Sequence, residues 1–335
     1  MIVPPDHPPV APRKIGALLV NLGTPDAPDV PSVKRYLKEF LSDRRVVELP
    51  PILWQPLLRG LVLNTRPKQS AHAYAQVWTA EGSPLEVITK AQAAALNGAF
   101  GDGVTVDYAM RYGKPSIGER LSAMKDGGCD RILIAPLYPQ YSGATTATVN
   151  DKVFEHLMKT RWQPALRTLP PYHDDPVYID ALKRSVEATL ASVDFDPDVI
   201  VASFHSMPIG TLFKGDPYHC QCQKTARLLG AALGRELVVS FQSKLGRAKW
   251  LEPSTETMLA QLAAAGKKTA VVITPGFSAD NLETLEEIAI RGRETFIDAG
   301  GRELVTVPCL NASDDGVAML RTLLARELEG WVSPA

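Results

Sequence analysis

Short apolar runs alternate with helical patterns along most of the chain, and this alternation constrains the fold more than any other feature. The apolar runs are rich in β-branched residues and nearly continuous in hydrophobicity, as strands covered on both faces are. They lie at residues 15–21, 104–110, 131–135, 199–204, 236–240, 270–274 and 303–307. Helical patterns lie between them, for example at residues 85–99, 116–125, 176–191, 223–233, 254–265 and 316–329. The rhythm predicts an α/β fold of parallel sheets flanked by helices.

The two halves of the sequence repeat one arrangement. An apolar run that ends in proline is followed by a polar loop at residues 132–136 and again at residues 271–275. We therefore predict two similar Rossmann-like lobes at residues 14–168 and 169–335, with their boundary inside residues 162–176. Ligands of such lobes bind beyond the carboxyl ends of the strands. The residues that follow each strand are therefore the candidates for chemistry.

Composition and charge disfavour several classes of function. The formal net charge is −1, whereas nucleic-acid binding would need a basic stripe. No run approaches the roughly 18 apolar residues of a membrane span. A single-glycine turn follows the first strand, and neither G-x-G-x-x-G after that strand nor G-x-x-x-x-G-K-[ST] occurs, which disfavours dinucleotide and nucleoside triphosphate chemistry.

The N-terminus and the cysteine content indicate the compartment. Residues 1–13 are rich in proline and lack the apolar run of a signal peptide, so we predict a disordered arm. Four cysteines are too few for a secreted disulfide scaffold and fit a reducing compartment. We expect a cytoplasmic protein, at most peripheral to the inner membrane.

A histidine at a strand end is the strongest local feature. Residues 203–208 read Ser-Phe-His-Ser-Met-Pro, so an apolar strand delivers His205 to its carboxyl edge and Pro208 stiffens the turn. Imidazole titrates near neutral pH and can accept a proton from a weak acid. The alternative is a histidine that only caps the strand through hydrogen bonds.

An acidic segment, Asp-Asn-Leu-Glu-Thr-Leu-Glu-Glu, occupies residues 280–287 after the strand at 270–274. Glu283 and Glu287 are four residues apart and would share one helix face. Paired carboxylates on one face can bind a hard cation or relay protons. The alternative is a helix start at which Asp280 and Glu283 act as a capping box.

Aromatic residues follow two other strands. Tyr138 and Tyr141 can line an apolar pocket with their rings and present their hydroxyl groups to a ligand. The alternative is that they only anchor a loop. Residues 242–246 lead to Trp250, where the alternative to a binding role is a solvated lysine, Lys244, beside a packing tryptophan.

Residues 50–64 carry apolar side chains at helical spacing and precede Arg66 and Lys68. This segment is either a hydrophobic lip over a site, a shallow membrane contact, or a core helix.

The cysteines do not form a recognisable metal motif. Cys220 and Cys222 lie beside His219, but no second cysteine pair completes a tetrahedral zinc site. Together with Cys129 and Cys309 they would supply the four thiolates of an iron–sulfur cluster. We expect no metal–sulfur site, and no two-iron two-sulfur cluster in particular.

Taken in order, these segments resemble the ferrochelatases, which insert ferrous iron into a porphyrin in the last step of haem synthesis. The resemblance spans about residue 15 to about residue 311. The matching pieces are residues 20–25, 82–84, 110–112, 138–142, 203–208, 215–218, 242–246 with Trp250, and 280–287. The strand-end histidine followed by the acidic E-T-L helix makes the resemblance specific.

The resemblance implies two Rossmann-like lobes with a porphyrin cleft between them. It implies that His205 is the catalytic histidine and Glu283 its partner carboxylate, that both contact the metal, and that Glu287 lies on a face linked to metal or proton traffic. The residues expected to bind the porphyrin are Leu22, Arg111, Tyr112, Tyr138 and Trp250.

The resemblance also implies substrates and partners. The expected substrates are protoporphyrin IX and Fe²⁺, with no resident cofactor and with handover of the porphyrin from the preceding oxidase of the pathway. Coproporphyrin or another tetrapyrrole is the alternative substrate. The alternative to an enzyme is a non-catalytic bilobal protein that binds a tetrapyrrole.

The chain departs from the family pattern at two positions and in one short segment. Many members have histidine where this chain has Asn281 and continue the acidic face where it has Arg291. The segment before Trp250 also differs, with Arg247 and Lys249. The first two departures put a long acidic relay or an outer metal site in doubt.

Overall fold

The computed structural model describes residues 4, 6, 7, 12–244 and 248–332. They form two parallel sheets of four strands each. The first sheet contains β1 (Lys14–Gly23), β2 (Val104–Tyr112), β3 (Cys129–Pro136) and β4 (Ala165–Thr168). The second contains β5 (Val199–His205), β6 (Leu237–Gln242), β7 (Thr269–Ile273) and β8 (Glu303–Thr306). The predicted α/β class with two Rossmann-like lobes is confirmed.

Helices flank both sheets. The helices before β5 are α1 (Val30–Ser42), α2 (Pro51–Leu57), α3 (Leu63–Val77), α4 (Pro84–Leu96), α5 (Ile117–Asp126), α6 (Thr148–Leu157) and α7 (Pro176–Ser192). Those after β5 are α8 (Ile209–Phe213), α9 (Tyr218–Leu233), α10 (Thr255–Ala264), α11 (Arg293–Asp298) and α12 (Asp314–Leu328). Three further segments are π-helical, namely π1 (Leu58–Val62), π2 (Gly143–Ala147) and π3 (Glu283–Gly292).

The strand order repeats in the two lobes. It is β2-β1-β3-β4 in the first sheet and β6-β5-β7-β8 in the second. In each sheet, the next two strands of the chain therefore lie on opposite sides of the first strand, β1 or β5. Such a switch point opens a crevice beyond the carboxyl ends of the strands. The crevice of the second lobe lies between β5 and β7.

All seven predicted strands are present, but β4 was missed. It is short, lies at the sheet edge and is largely exposed, so it lacks the apolar run of a covered strand. Two helices after β1 were also missed. One is α1, which follows a Pro- and Asp-rich segment and begins where Asp29 accepts a hydrogen bond from the Ser32 N–H (2.8 Å). The other is α3, which contains Pro67.

One apolar core connects the two lobes. It contains Leu19 and Met110 of the first sheet together with Phe204 and Val271 of the second, and all four side chains are fully buried. The predicted boundary at residue 168 follows the end of β4. It stays a prediction about folding units, because both lobes contribute to this shared core.

Two expectations concern the ends of the chain and the membrane. The expected disordered arm, residues 1–13, lies largely outside the described residues. In the part of the chain that the structure describes, no helix is both long and apolar enough to cross a membrane.

Candidate active site

His205 is the last residue of β5 and is half-buried at the switch point of the second lobe. Its Nδ1 lies 2.7 Å from the carbonyl oxygen of Ser206. A carbonyl only accepts, so Nδ1 carries a proton and donates, and in the neutral form of the ring the lone pair is then on Nε2. The hydrogen bond that a strand-capping histidine would make is therefore present, and it leaves the other nitrogen able to accept a proton.

Glu283 opens π3, in the segment that follows β7, and is also half-buried. Gln242, the strand partner of His205, donates from Nε2 to the backbone carbonyl of Glu283 (3.3 Å), which ties the two segments together. Within the described residues, no side chain donates a hydrogen bond to the Glu283 carboxylate, whose only hydrogen bond there is with its own backbone N–H. The carboxylate is therefore free to interact with a bound group.

The pKa of Glu283 is raised above its ordinary value. Burial is the largest cause. The positive form of His205 opposes it, and the negative charges of Glu287 and Glu286 add to it. The structure therefore brings His205 close enough to Glu283 for an imidazolium charge to lower the pKa of the carboxyl group. Such an imidazole–carboxylate pair can accept and pass on protons.

The capping alternative for the acidic segment is wrong in its residues. Asn281, not Asp280, accepts the hydrogen bonds of the first helical N–H groups, and its partner is Thr284 rather than Glu283. In the described structure Glu283 thus makes no capping hydrogen bond, although an acidic side chain in the first helical turn still interacts favourably with the helix dipole.

Glu287 does not join His205 and Glu283 as a free ligand. Its carboxylate accepts from the Ser243 N–H (2.7 Å) and from the Ser243 hydroxyl. Ser243 has a φ of +66°, so these hydrogen bonds stabilise an unusual backbone conformation at the start of the loop after β6. No group of three or more His, Cys, Asp or Glu side chains that could hold a metal occurs among the described residues.

The loop after β5 contacts the segment that carries Trp250. Leu251 N–H donates to the Met207 carbonyl (2.9 Å), and Pro208 and Trp250 form an isolated bridge. Trp250 is half-buried, and its indole N–H has no hydrogen-bond partner in the described structure. Its position beside the His205 loop is compatible with the predicted porphyrin contact. Residues 245–247, which include Leu245, Gly246 and Arg247, lie outside the described residues.

Two tyrosines of the first lobe approach Glu283 and were missed. Tyr36 of α1 and Tyr74 of α3 are buried, and burial, with the Glu283 charge as a further contribution, raises the pKa of each phenol. Leu282 packs on the cluster that contains Tyr74, so α3 meets π3 across the lobes. The sequence gives no clear helical signal for α1 and α3, so the two tyrosines are recognised only from their contacts in the structure.

Leu22 and Tyr138 lie at the switch point of the first lobe. Leu22 is half-buried near the end of β1, and its N–H donates to the Asn21 side chain (2.9 Å). Tyr138 follows β3, and its buried hydroxyl has no partner in the described structure. Both remain predicted porphyrin contacts.

The loop after β3 docks on the second lobe. The Asp216 carboxylate accepts from the Ser142 hydroxyl (3.0 Å) and the Gly143 N–H (2.7 Å), while the Gln221 side chain accepts from the Tyr141 N–H (2.6 Å). Two of the matching sequence pieces, residues 138–142 and 215–218, therefore contact each other and hold the two lobes together.

Arg111 and Tyr112 belong to a buried cluster. Tyr112 has no exposed surface, and its hydroxyl donates to the Asp43 carboxylate (2.8 Å), which also pairs with the Arg111 guanidinium. Arg111 donates to Thr148 as well (2.7 Å). In this conformation neither side chain is open to a ring in the cleft, and their predicted binding role stays untested. Their contacts join the end of α1 to β2 and α6.

The apolar segment at residues 50–64 is only partly a core segment. It forms α2, π1 and the start of α3, and Leu58 and Leu63 are buried in a cluster with Leu41. Four of its other large side chains are exposed, namely Ile52 (83%), Leu53 (67%), Leu61 (55%) and Leu57 (45%). A core helix would bury such side chains. The lip and membrane alternatives therefore remain.

The two cavities described for this structure lie elsewhere. The larger, about 670 Å³, lies at the amino ends of the first sheet between Ile15, Phe100 and Trp331. The smaller, about 80 Å³, lies behind the Glu283 turn between Asp280, Thr284 and Val307. Neither is lined by His205 or Glu283.

Comparisons with known proteins point to one family. The family model described as Ferrochelatase matches residues 14–328. A ferrochelatase of Rhizobium meliloti is 54% identical over 334 residues, covering 98% of each chain. One of Chelativorans sp. is 50% identical over 335 residues, covering 98% of this chain and 95% of that protein.

Solved structures agree on the fold alone. SirB from Bacillus subtilis with Fe³⁺ superposes with a TM-score of 0.58 at 10% identity, covering 95% of this chain and 97% of SirB. CbiX superposes with a TM-score of 0.50 at 12% identity, covering 95% of this chain and 100% of that chain.

The Asp43 cluster generates a first prediction. Burial would raise the pKa of Asp43, but hydrogen bonds from Thr148, the Arg45 N–H and Tyr112, together with the Arg111 charge, lower it. An acid with a lowered pKa stabilises the fold above its unfolded pKa and loses that contribution as the pH falls through the folded pKa. We expect Asp43→Asn to lose about 3 kcal/mol at pH 7, because Arg111 is left without its partner. Urea unfolding should show this loss shrinking toward pH 3, and a loss independent of pH would contradict it.

Proposed function

The chain belongs to the ferrochelatase family, and from this premise we propose that it inserts Fe²⁺ into protoporphyrin IX with His205 and Glu283 handling the pyrrole protons. The family supplies the reaction class, an enzyme that takes porphyrin and ferrous iron as substrates. The observation that supports the residue roles is that His205, whose Nδ1 is held by a backbone carbonyl, lies near a Glu283 carboxylate that has a raised pKa and no side-chain donor in the described structure.

Metal insertion poses a simple physical problem. Two central N–H protons must leave while a dication arrives, and the flat ring keeps its nitrogen lone pairs in plane. A site that holds the ring saddled tilts those lone pairs toward the metal, at a strain of about 1–5 kcal/mol drawn from remote contacts. Leu22 and Trp250, at the ends of opposing segments, are the proposed contacts that hold the ring, with Tyr112 and Tyr138 behind them.

His205 Nε2 accepts the first pyrrole proton. The N–H bond breaks, its electron pair stays on the pyrrole nitrogen, and the imidazole becomes an imidazolium that the Glu283 carboxylate stabilises. Glu283 then takes the proton and releases it to solvent, which returns His205 to its neutral tautomer for the second proton. Loss of the two pyrrole protons leaves a charge of −2 on the porphyrin core, and Fe²⁺ neutralises this charge.

The rim of the site supplies cations for the propionates. Arg66 of α3 is half-buried, burial lowers the pKa of its guanidinium, and no carboxylate pairs with it in the described structure. A guanidinium of this kind can bind a carboxylate of the ligand through two hydrogen bonds. Lys68, exposed two residues later, is the second proposed contact.

We propose that the enzyme has no resident cofactor, since Fe²⁺ is a substrate. The positions of the cysteines support this. Cys129 is buried in β3, Cys222 is buried in α9 beside exposed Cys220, and Cys309 follows β8. A two-iron two-sulfur cluster needs four thiolates around one centre.

The membrane contact is proposed on the exposed segment of α2 and π1. Its apolar side chains point to solvent next to Arg59, the composition typical of a surface that enters the lipid interface. We propose a cytoplasmic enzyme that touches the inner membrane there and receives its apolar substrate from the preceding oxidase.

The catalytic role of His205 is tested by zinc insertion into protoporphyrin, followed by fluorescence. His205→Ala should lower kcat at least about 100-fold, because proton acceptance contributes that much. Porphyrin binding should stay measurable. His156→Ala, a histidine of α6 that contacts Ser122, is the matched control and should keep its rate.

Full turnover of His205→Ala would remove this residue from the mechanism. The same assay with coproporphyrin tests the substrate, since the proposal requires a higher kcat/KM for protoporphyrin. Tight porphyrin binding by the wild type without any metal insertion would indicate a binding protein instead.

Glu283→Gln should separate function from stability. An acid with a raised pKa stabilises the fold below its unfolded pKa and loses that contribution as the pH rises through the folded pKa. The buried charge therefore lowers the Tm of the wild type at pH 8, and glutamine removes it. We expect Glu283→Gln to have the higher Tm at pH 8, equal Tm near pH 4, and a kcat lower by about 100-fold. A variant that is less stable at every pH and fully active would refute the assignment.

Membrane contact is tested by flotation with vesicles that contain anionic lipid. The double variant Ile52→Ser/Leu53→Ser should lose most of its vesicle-bound fraction, because it removes the apolar surface that enters the interface. Met158→Ser, which removes a 78% exposed side chain next to α6, is the control and should bind as the wild type does. Equal binding by all three proteins would exclude this segment as the contact.

A further inference from the structure

The turn that presents Glu283 is fixed by side chains that the proton relay does not use. We propose that Asn281 is a positioning residue, which holds the start of the π3 helix so that the Glu283 carboxylate faces His205. This inference rests on the proposed function of Glu283.

Asn281 caps the helix that carries Glu283. Its Oδ1 accepts from the N–H groups of Glu283 (2.9 Å) and Thr284 (3.1 Å). In return, the Thr284 hydroxyl accepts from the Asn281 N–H (3.1 Å). The first N–H groups of a helix have no partner within the helix, and a side-chain acceptor of this kind is what fixes the helix start.

Burial makes this cap hard to replace. Asn281 is only 6% exposed, so water does not readily take the place of its carbonyl oxygen. Its Nδ2 donates to the Ala279 carbonyl (3.1 Å). Since both ends of the side-chain amide are engaged, Asn281 is not available as a ligand of a metal or porphyrin.

A second layer of hydrogen bonds anchors the cap. The Asp280 carboxylate accepts from the Thr284 hydroxyl (3.0 Å), from the Asn311 amide (2.6 Å) and from the Cys309 N–H (3.3 Å). The Asp280 N–H donates back to the Asn311 side chain (2.8 Å). The turn is therefore tied to the segment that follows β8.

The first lobe reaches the same anchor. Gln92 of α4 is buried and donates from Nε2 to the carbonyls of Ser278 (3.2 Å) and Asn311 (2.9 Å). The position of the Glu283 turn is thus fixed relative to both lobes. Its carboxylate, in contrast, has no side-chain donor in the described structure.

Capping here controls direction as well as stability. Leu282 is the first helical residue and Glu283 the second, so fraying by a single turn would include the carboxylate. The direction of a side chain on a helix is set by the helical backbone, and a loosened start would therefore aim Glu283 away from His205. Loss of the cap should reduce the chemical step more than porphyrin binding.

The test measures zinc insertion and thermal unfolding in four variants of the full chain. Asn281→Ala should lower kcat about 10-fold or more, with the KM for protoporphyrin within about two-fold, because the ring contacts are untouched. Asn281→Ser, in which a hydroxyl oxygen replaces the amide oxygen as the acceptor, should restore most of the rate. Ser116→Ala removes the capping box of α5 in the first lobe and is the matched control. It should lower Tm while leaving kcat unchanged.

Asn281→Gly keeps the test open if Asn281→Ala does not fold, since glycine is tolerated at a helix start but accepts no side-chain hydrogen bond. It should show the same fall in kcat. Wild-type kcat in the alanine or glycine variant, or no recovery with serine, would overturn the positioning role. Absence of metal insertion by the wild type would instead overturn the proposed function, so the two failures are distinguishable.

Discussion

Parallel pairing of β5 with β7 brings two carboxyl strand ends to one edge of the second sheet, and the candidate site depends on that edge. His205 ends one of these strands, and Glu283 follows the other. The hydrogen bond from His205 to the Ser206 carbonyl then decides which ring nitrogen keeps its lone pair. Strand polarity thus places His205 at this edge of the sheet, and one backbone carbonyl holds its Nδ1 as a hydrogen-bond donor.

Hydrogen bonds hold the backbone of Glu283, whereas its carboxylate lacks a side-chain donor in the described structure. Asn281 and Asp280 hold its backbone, whereas its carboxylate is partly buried without a side-chain partner, and its pKa is raised as a result. The indole of Trp250 and the hydroxyl of Tyr138 also lack partners in the described structure. Buried polar groups without partners reduce stability. A ligand bound between the two segments would supply partners for these two groups, and functional sites tolerate such local conflicts.

Much of this fold could be predicted because its strands are covered on both faces and read as continuous apolar runs. His205 was recognisable for the same reason, as a polar residue at the end of such a run. The edge strand β4 and the helices α1 and α3 carry weaker patterns, so Tyr36 and Tyr74 were missed. The partners of Glu287 and Arg111 could not be predicted either. Ser243 and Asp43 are distant in sequence and contact them only through the tertiary fold.

The central claim is that His205 and Glu283 act as one unit, and a double-mutant cycle measures this most directly. Residues that act in the same step have non-additive effects on rate. The account predicts that the double variant His205→Ala/Glu283→Gln inserts zinc into protoporphyrin no more slowly than the slower of the two single variants. A double variant whose loss equals the product of the two single losses would show that the imidazole and the carboxylate work independently, and it would contradict the account.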